Sequence, residues 1–377
     1  MKSLLVGNGI NMQFDKLNYS YQQIVLRLLK NFDRDDFPKH IIVDYPYLMG
    51  NYIGQLYLES RKILNGEYDK YTICKAEKNS LKSFKERYFG KIQSLRITDI
   101  GFEDYSLIHD LVCHKNNIFN PDQFNIRESM RVAYLFSIYN DGKINTLYEL
   151  YPAKFKAFLC SFDNIFTTNY DSNIELATNS PVYHIHGQFD KLADVYDETS
   201  FRNKLPDCPI KNIDFDENYQ YLYSNALTTH CGEYKELQVK QGGLANSAIE
   251  NMSNAYKSDP QIKKEVDSWI NDPNSLTSNL GYAIQLKAQH PELLFSDNYH
   301  FDKFRAITCD LEILGLSPWN DLHIFESIDN ANISSCTFYY FSEIECNEIK
   351  NVLPKLTNLN IIQFVSAAEF WGEQYEK

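Results

Sequence analysis

The chain has 377 residues, of which 44% are hydrophobic and 23% are charged. These proportions are typical of an ordinary globular protein, and the length is sufficient for two or three compact units. The 50 acidic residues outnumber the 37 basic ones, which gives a formal net charge of -13. Because this charge repels a phosphate backbone, we expect no direct binding of nucleic acid.

The eight cysteines are scattered along the chain, and no two of them form a C-x-x-C or C-x-x-x-x-C pair. The sequence therefore predicts no zinc ribbon and no stoichiometric metal. Unpaired thiols that act as small core residues are typical of a reducing compartment. No apolar run approaches the roughly 18 residues needed to cross a bilayer, so we expect a cytoplasmic protein that does not bind membranes.

Six short apolar runs are flanked by turn or helix-start residues. Their apolarity is continuous rather than alternating, which favours parallel strands covered on both faces. Helical patterns over 171–177, 322–328 and 343–352 follow three of these runs, so the sequence predicts a Rossmann-like, doubly wound α/β sheet. The strands are expected at 3–6, 164–168, 181–185, 311–315, 337–341 and 360–365.

Two long stretches interrupt this alternation. Residues 19–151 have the periodicity of helices with mixed charges on their polar faces and form a large helical insertion. Residues 188–304 have weaker periodicity and five prolines, which predicts a second, mixed insertion. The nucleotide-binding core is then assembled from 1–18, 152–187 and 305–377. Within the first insertion, examples of the expected helices are 21–31, 45–64, 74–88 and 126–139.

The first motif, Gly7-Asn8-Gly9-Ile10-Asn11, follows the first strand directly. Two glycines let the backbone turn sharply and approach a pyrophosphate, and N–H groups at the next helix start favour an anion. The motif lacks the third glycine of the dinucleotide fingerprint, so a plain tight turn is the alternative.

The second motif, Thr167-Thr168-Asn169-Tyr170-Asp171, ends the second strand. The amide of Asn169 has both donor and acceptor groups and can hold a ribose hydroxyl or a water. Asp171 or Ser172 can instead cap the next helix, with Glu175 completing a capping box.

The third motif, His184-Ile185-His186-Gly187, ends the next strand. His186 is the candidate general base, because an imidazole titrates near neutral pH and Gly187 leaves room for a ligand. His184 is expected to be a hydrogen-bonded core histidine. The two histidines lack a third ligand at a usable spacing, which disfavours a metal site.

The fourth motif, Gly315-Leu316-Ser317-Pro318-Trp319-Asn320-Asp321, closes the fourth strand. A hydrolase nucleophile elbow would need a second glycine where Trp319 stands, with only His323 downstream as a base. Ser317 and Asp321 suit ribose or adenine contacts better.

All four motifs lie at the carboxyl ends of predicted strands, where open α/β sheets bind their ligands, so we expect them to form one site. The predicted catalytic residues are Asn169 and His186. The predicted nucleotide contacts are Gly7, Asn8, Gly9, Asn11, Thr168, Asp171, Gly315, Ser317 and Asp321.

In this order, the motifs resemble those of the sirtuin-like NADases of bacterial anti-phage defence, and they are similar to AbiH-type abortive-infection proteins. The resemblance covers about 120 to 150 residues of the core strands. It implies that Asn169 and His186 support cleavage of NAD, that Gly7 and Gly9 cradle its phosphates, and that Ser317 contacts the adenosine side. Because the paired cysteines of protein-deacetylating sirtuins are missing, hydrolysis is favoured over deacetylation.

The expected function is therefore hydrolysis of NAD to nicotinamide and ADP-ribose, with depletion of NAD as a defence response. A non-catalytic NAD or ADP-ribose sensor that regulates a defence complex is the alternative, and a purely structural subunit is a third possibility. The resemblance implies control by a phage component, a signalling nucleotide or a partner ATPase. Apolar and aromatic residues of the helical insertion further predict a homo-oligomer. They include Tyr45, Tyr47, Leu48, Tyr52, Leu56 and Tyr57.

Overall fold

A computed structural model describes residues 1–39, 46–118, 122–192, 216–228, 232–272, 275–294, 297–319 and 321–375. Its centre is a sheet of parallel strands, at the positions that the sequence predicts to within two residues. The strands are β1 (Lys2–Val6), β2 (Asn164–Thr167), β3 (Val182–His184), β4 (Asp310–Leu314), β5 (Ser335–Tyr340) and β6 (Ile362–Ser366).

The strand order is β3-β2-β1-β4-β5-β6, and every neighbouring pair is parallel. Leu4 and Val6 of β1 pack into the core on one face of the sheet, while Leu5 packs into the core on the other. All three are fully buried. The predicted Rossmann-like sheet, covered on both faces, is confirmed, and its order reverses between β1 and β4.

Helices form the first insertion, as predicted. The sequence does not delimit the helix at Phe102–Asn116, because polar residues such as Glu103 and His109 are buried along with its apolar ones and no amphipathic period results. The predicted helix at 126–139 begins earlier, at Asp122. The helices are α1 (Gly9–Tyr19), α2 (Tyr21–Asn31), α3 (Pro46–Leu64), α4 (Lys75–Tyr88), α5 (Phe102–Asn116) and α6 (Asp122–Tyr139).

Short 3-10 turns connect some of these helices, and α7 (Ala153–Leu159) and α8 (Asn173–Thr178) flank β2. The second insertion is more helical than its weak periodicity indicates. Its long helix α9 (Gly232–Ser258) packs on α4 and on four later helices, so tertiary contacts support a helix whose middle is largely exposed. The others in the second insertion are α10 (Pro260–Trp269), α11 (Ser275–Gln289) and α12 (Phe301–Arg305).

The last part of the chain completes the core. Its helices follow β4, β5 and β6 in turn, and none of the described helices of the whole chain is long and apolar enough to span a membrane. The predicted helix at 343–352 is confirmed without a shift. These helices are α13 (Leu322–Asn330), α14 (Glu343–Val352), α15 (Pro354–Asn358) and α16 (Ala367–Tyr375).

His109 on α5 joins three segments of the helical insertion. Its Nε2 lies 2.9 Å from the carbonyl oxygen of Gln123, and its Nδ1 lies 2.6 Å from the hydroxyl of Tyr52. Since a carbonyl only accepts, Nε2 carries the proton and Nδ1 accepts from Tyr52. Burial lowers the pKa of His109 to about 4, so the imidazole stays neutral in the folded protein.

We expect His109 to make the insertion sensitive to acid. Below the unfolded pKa of about 6.5, the unfolded chain binds a proton at His109 that the folded chain excludes. As the pH is lowered from about 6.5 to about 4, the free energy of unfolding should therefore decrease by up to about 1.4 kcal/mol per pH unit. Chemical unfolding of the native protein and His109→Gln at pH 4.5 to 7 measures this difference in slope. Parallel pH profiles for the two proteins would show that His109 takes no part.

Candidate functional site

The loops that follow β1 and β4 cross at the centre of the sheet. Gly7 N donates to Leu314 O at 3.0 Å, and Gly9 N donates to Gly315 O at 2.8 Å. A Cβ on Gly9 would lie 2.5 Å from the Cα of Gly315, and one on Gly7 would lie 2.4 Å from its carbonyl oxygen. The close approach of the two backbones therefore gives a reason for these glycines other than phosphate binding, which remains a prediction.

Asn11 and Asp171 connect the loops after β1 and β2. Asn11 Nδ2 donates to Asp171 Oδ2 at 2.7 Å, and Asp171 Oδ1 accepts from the backbone and side-chain nitrogens of Asn173. Burial raises the pKa of Asp171. Both carboxylate oxygens already have protein partners, so Asp171 holds these two loops together, and its contact with a nucleotide stays a prediction. Asn8 lies on the exposed side and donates to Tyr19 O at 3.0 Å.

Asn169 lies just past β2 and is 8% exposed. Its side-chain Nδ2 lies 3.4 Å from Gly7 O, so the amide faces the loop after β1. Its carbonyl oxygen accepts from His184 Nδ1 at 2.8 Å, while His184 Nε2 pairs with Glu175 at 2.6 Å. His184 is thus the hydrogen-bonded core histidine that the sequence predicts, and it holds the backbone of Asn169.

The pairing of Glu175 with His184 also corrects one expectation. Burial lowers the pKa of His184, but the pairing with Glu175 outweighs it, and the pKa is raised overall. The predicted capping box does not form, because Glu175 is engaged by this histidine and the hydroxyl of Ser172 donates to Asp190. Long-range partners outcompete the local cap here.

His186 lies beside Asn169 at the neighbouring strand end. The register aligns Thr167 with His184, and the backbone pairing continues from Phe189 N to Tyr170 O at 2.9 Å, so the two segments remain side by side. His186 is only 2% exposed. Gly187 has a φ of +82°, and a Cβ there would lie 2.3 Å from Asn225 O. The space beside Gly187 is therefore filled by the backbone at Asn225 and does not leave the room for a ligand that the sequence suggests.

A second histidine faces His186. His323 Nε2 lies 3.4 Å from His186 Nε2, and Asp321 Oδ1 lies 3.7 Å from the same nitrogen. Burial, reinforced by the charge of Lys235, lowers the pKa of His186 well below its ordinary value and that of His323 to about 3. Both imidazoles are neutral at neutral pH, which corrects the expectation that His186 titrates there.

Two charged residues from the insertions complete this cluster. Lys235 on α9 is 2% exposed, and its Nζ lies 2.6 Å from Glu103 Oε1 on α5 and 3.6 Å from Asp321 Oδ1. Burial raises the pKa of Glu103, although Lys235 opposes it. For Lys235, the two carboxylates outweigh burial and raise its pKa, so the amine stays charged. Sequence reasoning missed this pair, since no local spacing marks two residues that meet across separate insertions.

The remaining predicted contacts are less enclosed. Thr168 is half-buried and its N–H donates to Val6 O at 3.0 Å, whereas Ser317 is exposed on the loop after Gly315. Asn320 of the fourth motif lies outside the described residues. The fold thus brings Asn169, His186 and Asp321 to one edge of the sheet.

Comparison of the chain with protein families, with curated proteins and with solved structures found no match. A function for this chain can therefore be inferred only from the residues of the site and from the fold that positions them.

The loop crossing predicts a large difference between two glycines. Gly9→Ala forces a methyl group into the backbone of Gly315 and should lower the free energy of unfolding by about 1–3 kcal/mol or more. Gly54→Ala, in the interior of α3 with open space around it, should instead raise it by roughly 0.5–1 kcal/mol. Urea unfolding of both variants measures the contrast. Equal effects would contradict the tight crossing.

Proposed function

We propose that this chain hydrolyses NAD at the nicotinamide–ribose bond, giving nicotinamide and ADP-ribose. The observation that carries the proposal is the convergence of Asn169 and His186 at the carboxyl edge of a sheet with the strand order β3-β2-β1-β4-β5-β6. Sheets of this order bind dinucleotides where the order reverses, outside the carboxyl ends of the strands. The resemblance to sirtuin-like NADases is consistent with the same assignment.

The reaction would break one C–N bond and consume one water. As nicotinamide leaves, positive charge develops on the ribose, and water attacks its anomeric carbon. His186 would accept the proton that the water loses, and Asn169 would hold the water or a ribose hydroxyl in place. The lowered pKa of His186 weakens it as a base but keeps its lone pair available. An electrophile this reactive needs only a weak base.

Burial of the site supports control of the reaction. NAD reaches His186, which is 2% exposed, only if segments around it move. Glu103 on α5 and Lys235 on α9 bring both insertions into the cluster at Asp321. Displacement of either insertion would therefore open the site and misplace its residues, and errors of about 1 Å can cost roughly 100-fold in rate.

In the cell, the proposed role is abortive-infection defence by depletion of NAD, triggered by a phage component, a signalling nucleotide or a partner ATPase. Self-association remains part of the proposal, but the side chains first suggested for it point largely inward. Leu56 is buried, the hydroxyls of Tyr52 and Tyr57 bond to His109 and Leu95, and Leu48 is 40% exposed. Tyr45 and the side chain of Tyr47 lie outside the described part of the chain.

A second candidate function is favoured by the filled space around Gly7, Gly9 and Gly187. A chain whose pocket opens only with a partner would act as a regulatory subunit that binds NAD or ADP-ribose without turnover. Incubation of the purified protein with NAD, with release of nicotinamide followed by chromatography, separates these functions. Tight binding without release of nicotinamide would favour the regulatory subunit.

Substitution of either catalytic residue tests the assignment. Asn169→Ala and His186→Ala should each lower the rate of NAD cleavage by about 100- to 10,000-fold, the usual range for loss of a general base or positioning group. His290→Ala is the matched control, because His290 is at the end of α11 and outside the cluster. Circular dichroism checks that each variant folds. Full activity of folded His186→Ala would remove it from the mechanism.

If movement of the insertions controls NAD cleavage, the rate should depend on a trigger. The isolated protein should cleave NAD slowly, and a triggered or assembled form should cleave it at least about 100-fold faster, in line with the cost of a misplaced group. NAD loss is compared in host cells with and without phage infection, and in purified protein with and without the product of the neighbouring gene. Equal rates in all four conditions would argue against gating.

A further inference from the structure

Three donor atoms converge at the carboxyl edge of the sheet. They are His186 Nε2 and His323 Nε2, separated by 3.4 Å, and Asp321 Oδ1, at 3.7 Å from the nitrogen of His186. All three atoms lie within 4.8 Å of one another. Within the described part of the chain, no other group of three His, Cys, Asp or Glu side chains is this close.

These donors are poorly satisfied by the protein itself. A good N–H···N hydrogen bond is shorter than the 3.4 Å between the two imidazoles, and Asp321 Oδ1 is buried with Lys235 Nζ 3.6 Å away, too far for a hydrogen bond. Buried carboxylate oxygens normally have partners. Two imidazole nitrogens that face each other with a carboxylate beside them are therefore set to share a cation.

The spacing matches a metal with short bonds. Zinc binds imidazole nitrogen and carboxylate oxygen at about 2.0–2.2 Å in tetrahedral geometry, which places neighbouring ligand atoms about 3.4 Å apart. The contacts of His186 with His323 and Asp321 are close to that separation. A harder ion such as Mg²⁺ prefers an oxygen shell and is disfavoured by two imidazoles.

Charges near the three donors act in both directions, since Lys235 repels a positive charge at His186 and Asp321 attracts one. Two carboxylates, Glu103 and Asp321, share one ammonium group, that of Lys235, which lies 1.0 Å closer to Glu103 (2.6 Å against 3.6 Å). Lys235 thus leaves Asp321 incompletely neutralised in a buried position, where unpaired charge is costly.

We propose that His186, Asp321 and His323 bind one divalent cation of the zinc class, leaving a fourth position for water. The sequence gives no sign of this site and predicts no zinc, because His186 and His323 are 137 residues apart and lack ligand spacing. Only the fold brings these distant side chains together.

Binding has a consequence that rests on the proposed NAD hydrolysis. The metal would occupy the Nε2 lone pair with which His186 accepts a proton. Zinc should therefore suppress NAD cleavage, and a chelator should restore it.

The binding test needs no NAD. Full-length protein is dialysed against EDTA and then titrated with Zn²⁺ in competition with a chromogenic chelator, in the presence and absence of excess Mg²⁺. We expect one equivalent of zinc per chain that Mg²⁺ does not displace. His323→Ala should weaken binding by at least about 100-fold, since loss of even an outer-shell partner costs 10- to 100-fold. His290→Ala should bind as the native protein does.

Asp321→Asn, which preserves side-chain volume, provides a second ligand variant if His323→Ala does not fold, and it should also weaken zinc binding. The site is overturned if the native protein binds no equivalent of zinc, if a folded ligand variant binds as tightly as the native protein, or if Mg²⁺ displaces the zinc. Nicotinamide release is measured on the same samples. Zinc binding in a protein that never cleaves NAD would leave the metal site standing and remove only the proposed hydrolysis.

Discussion

The close contact between the backbones of Gly9 and Gly315 constrains the loops at the centre of the sheet. The two backbones approach so closely that a single added methyl group on Gly9 would lie 2.5 Å from the opposite Cα. Because β1 and β4 are adjacent and the strand order reverses between them, this contact sets the spacing of the loops that begin α1 and α13. Those loops position Asn11 on one side and Asp321 on the other, so the geometry of the whole site depends on two residues without side chains.

A buried charge cluster joins the insertions to this centre. Lys235 comes from α9, Glu103 from α5 and Asp321 from the start of α13, and loss of Lys235 would leave two buried carboxylates without the ammonium group that they share. Breaking a buried pair typically costs about 3–5 kcal/mol. Docking of the two insertions and assembly of the cluster at Asp321 are therefore energetically coupled, which links the positions of α5 and α9 to the surroundings of His186.

Both proposals for that site depend on one lone pair. Burial and the neighbouring ammonium group of Lys235 keep His186 neutral, and in the tautomer with the proton on Nδ1 its Nε2 can accept a proton from water or ligate a metal. The proposed hydrolysis and the proposed zinc site compete for this same atom. Which of them prevails is set by the position of His323 and Asp321 relative to His186, and thus by the packing of α13 against the end of β3.

The sequence by itself determined the sheet and the edge at which the site lies. Continuous apolar runs and the polar residues that end them, such as Asn169 and His186, are local patterns that persist in any packing, and all six strands follow them. The buried helix α5 has no amphipathic period, so the sequence indicated a helical region there but not the bounds of this helix. Tertiary structure alone decided that the backbone at Asn225 fills the space beside Gly187. It also decided that Glu175 pairs with His184 and does not cap a helix, and that His323 and Lys235 lie near His186. These contacts join residues distant in the chain, and only the folded backbone specifies their distances.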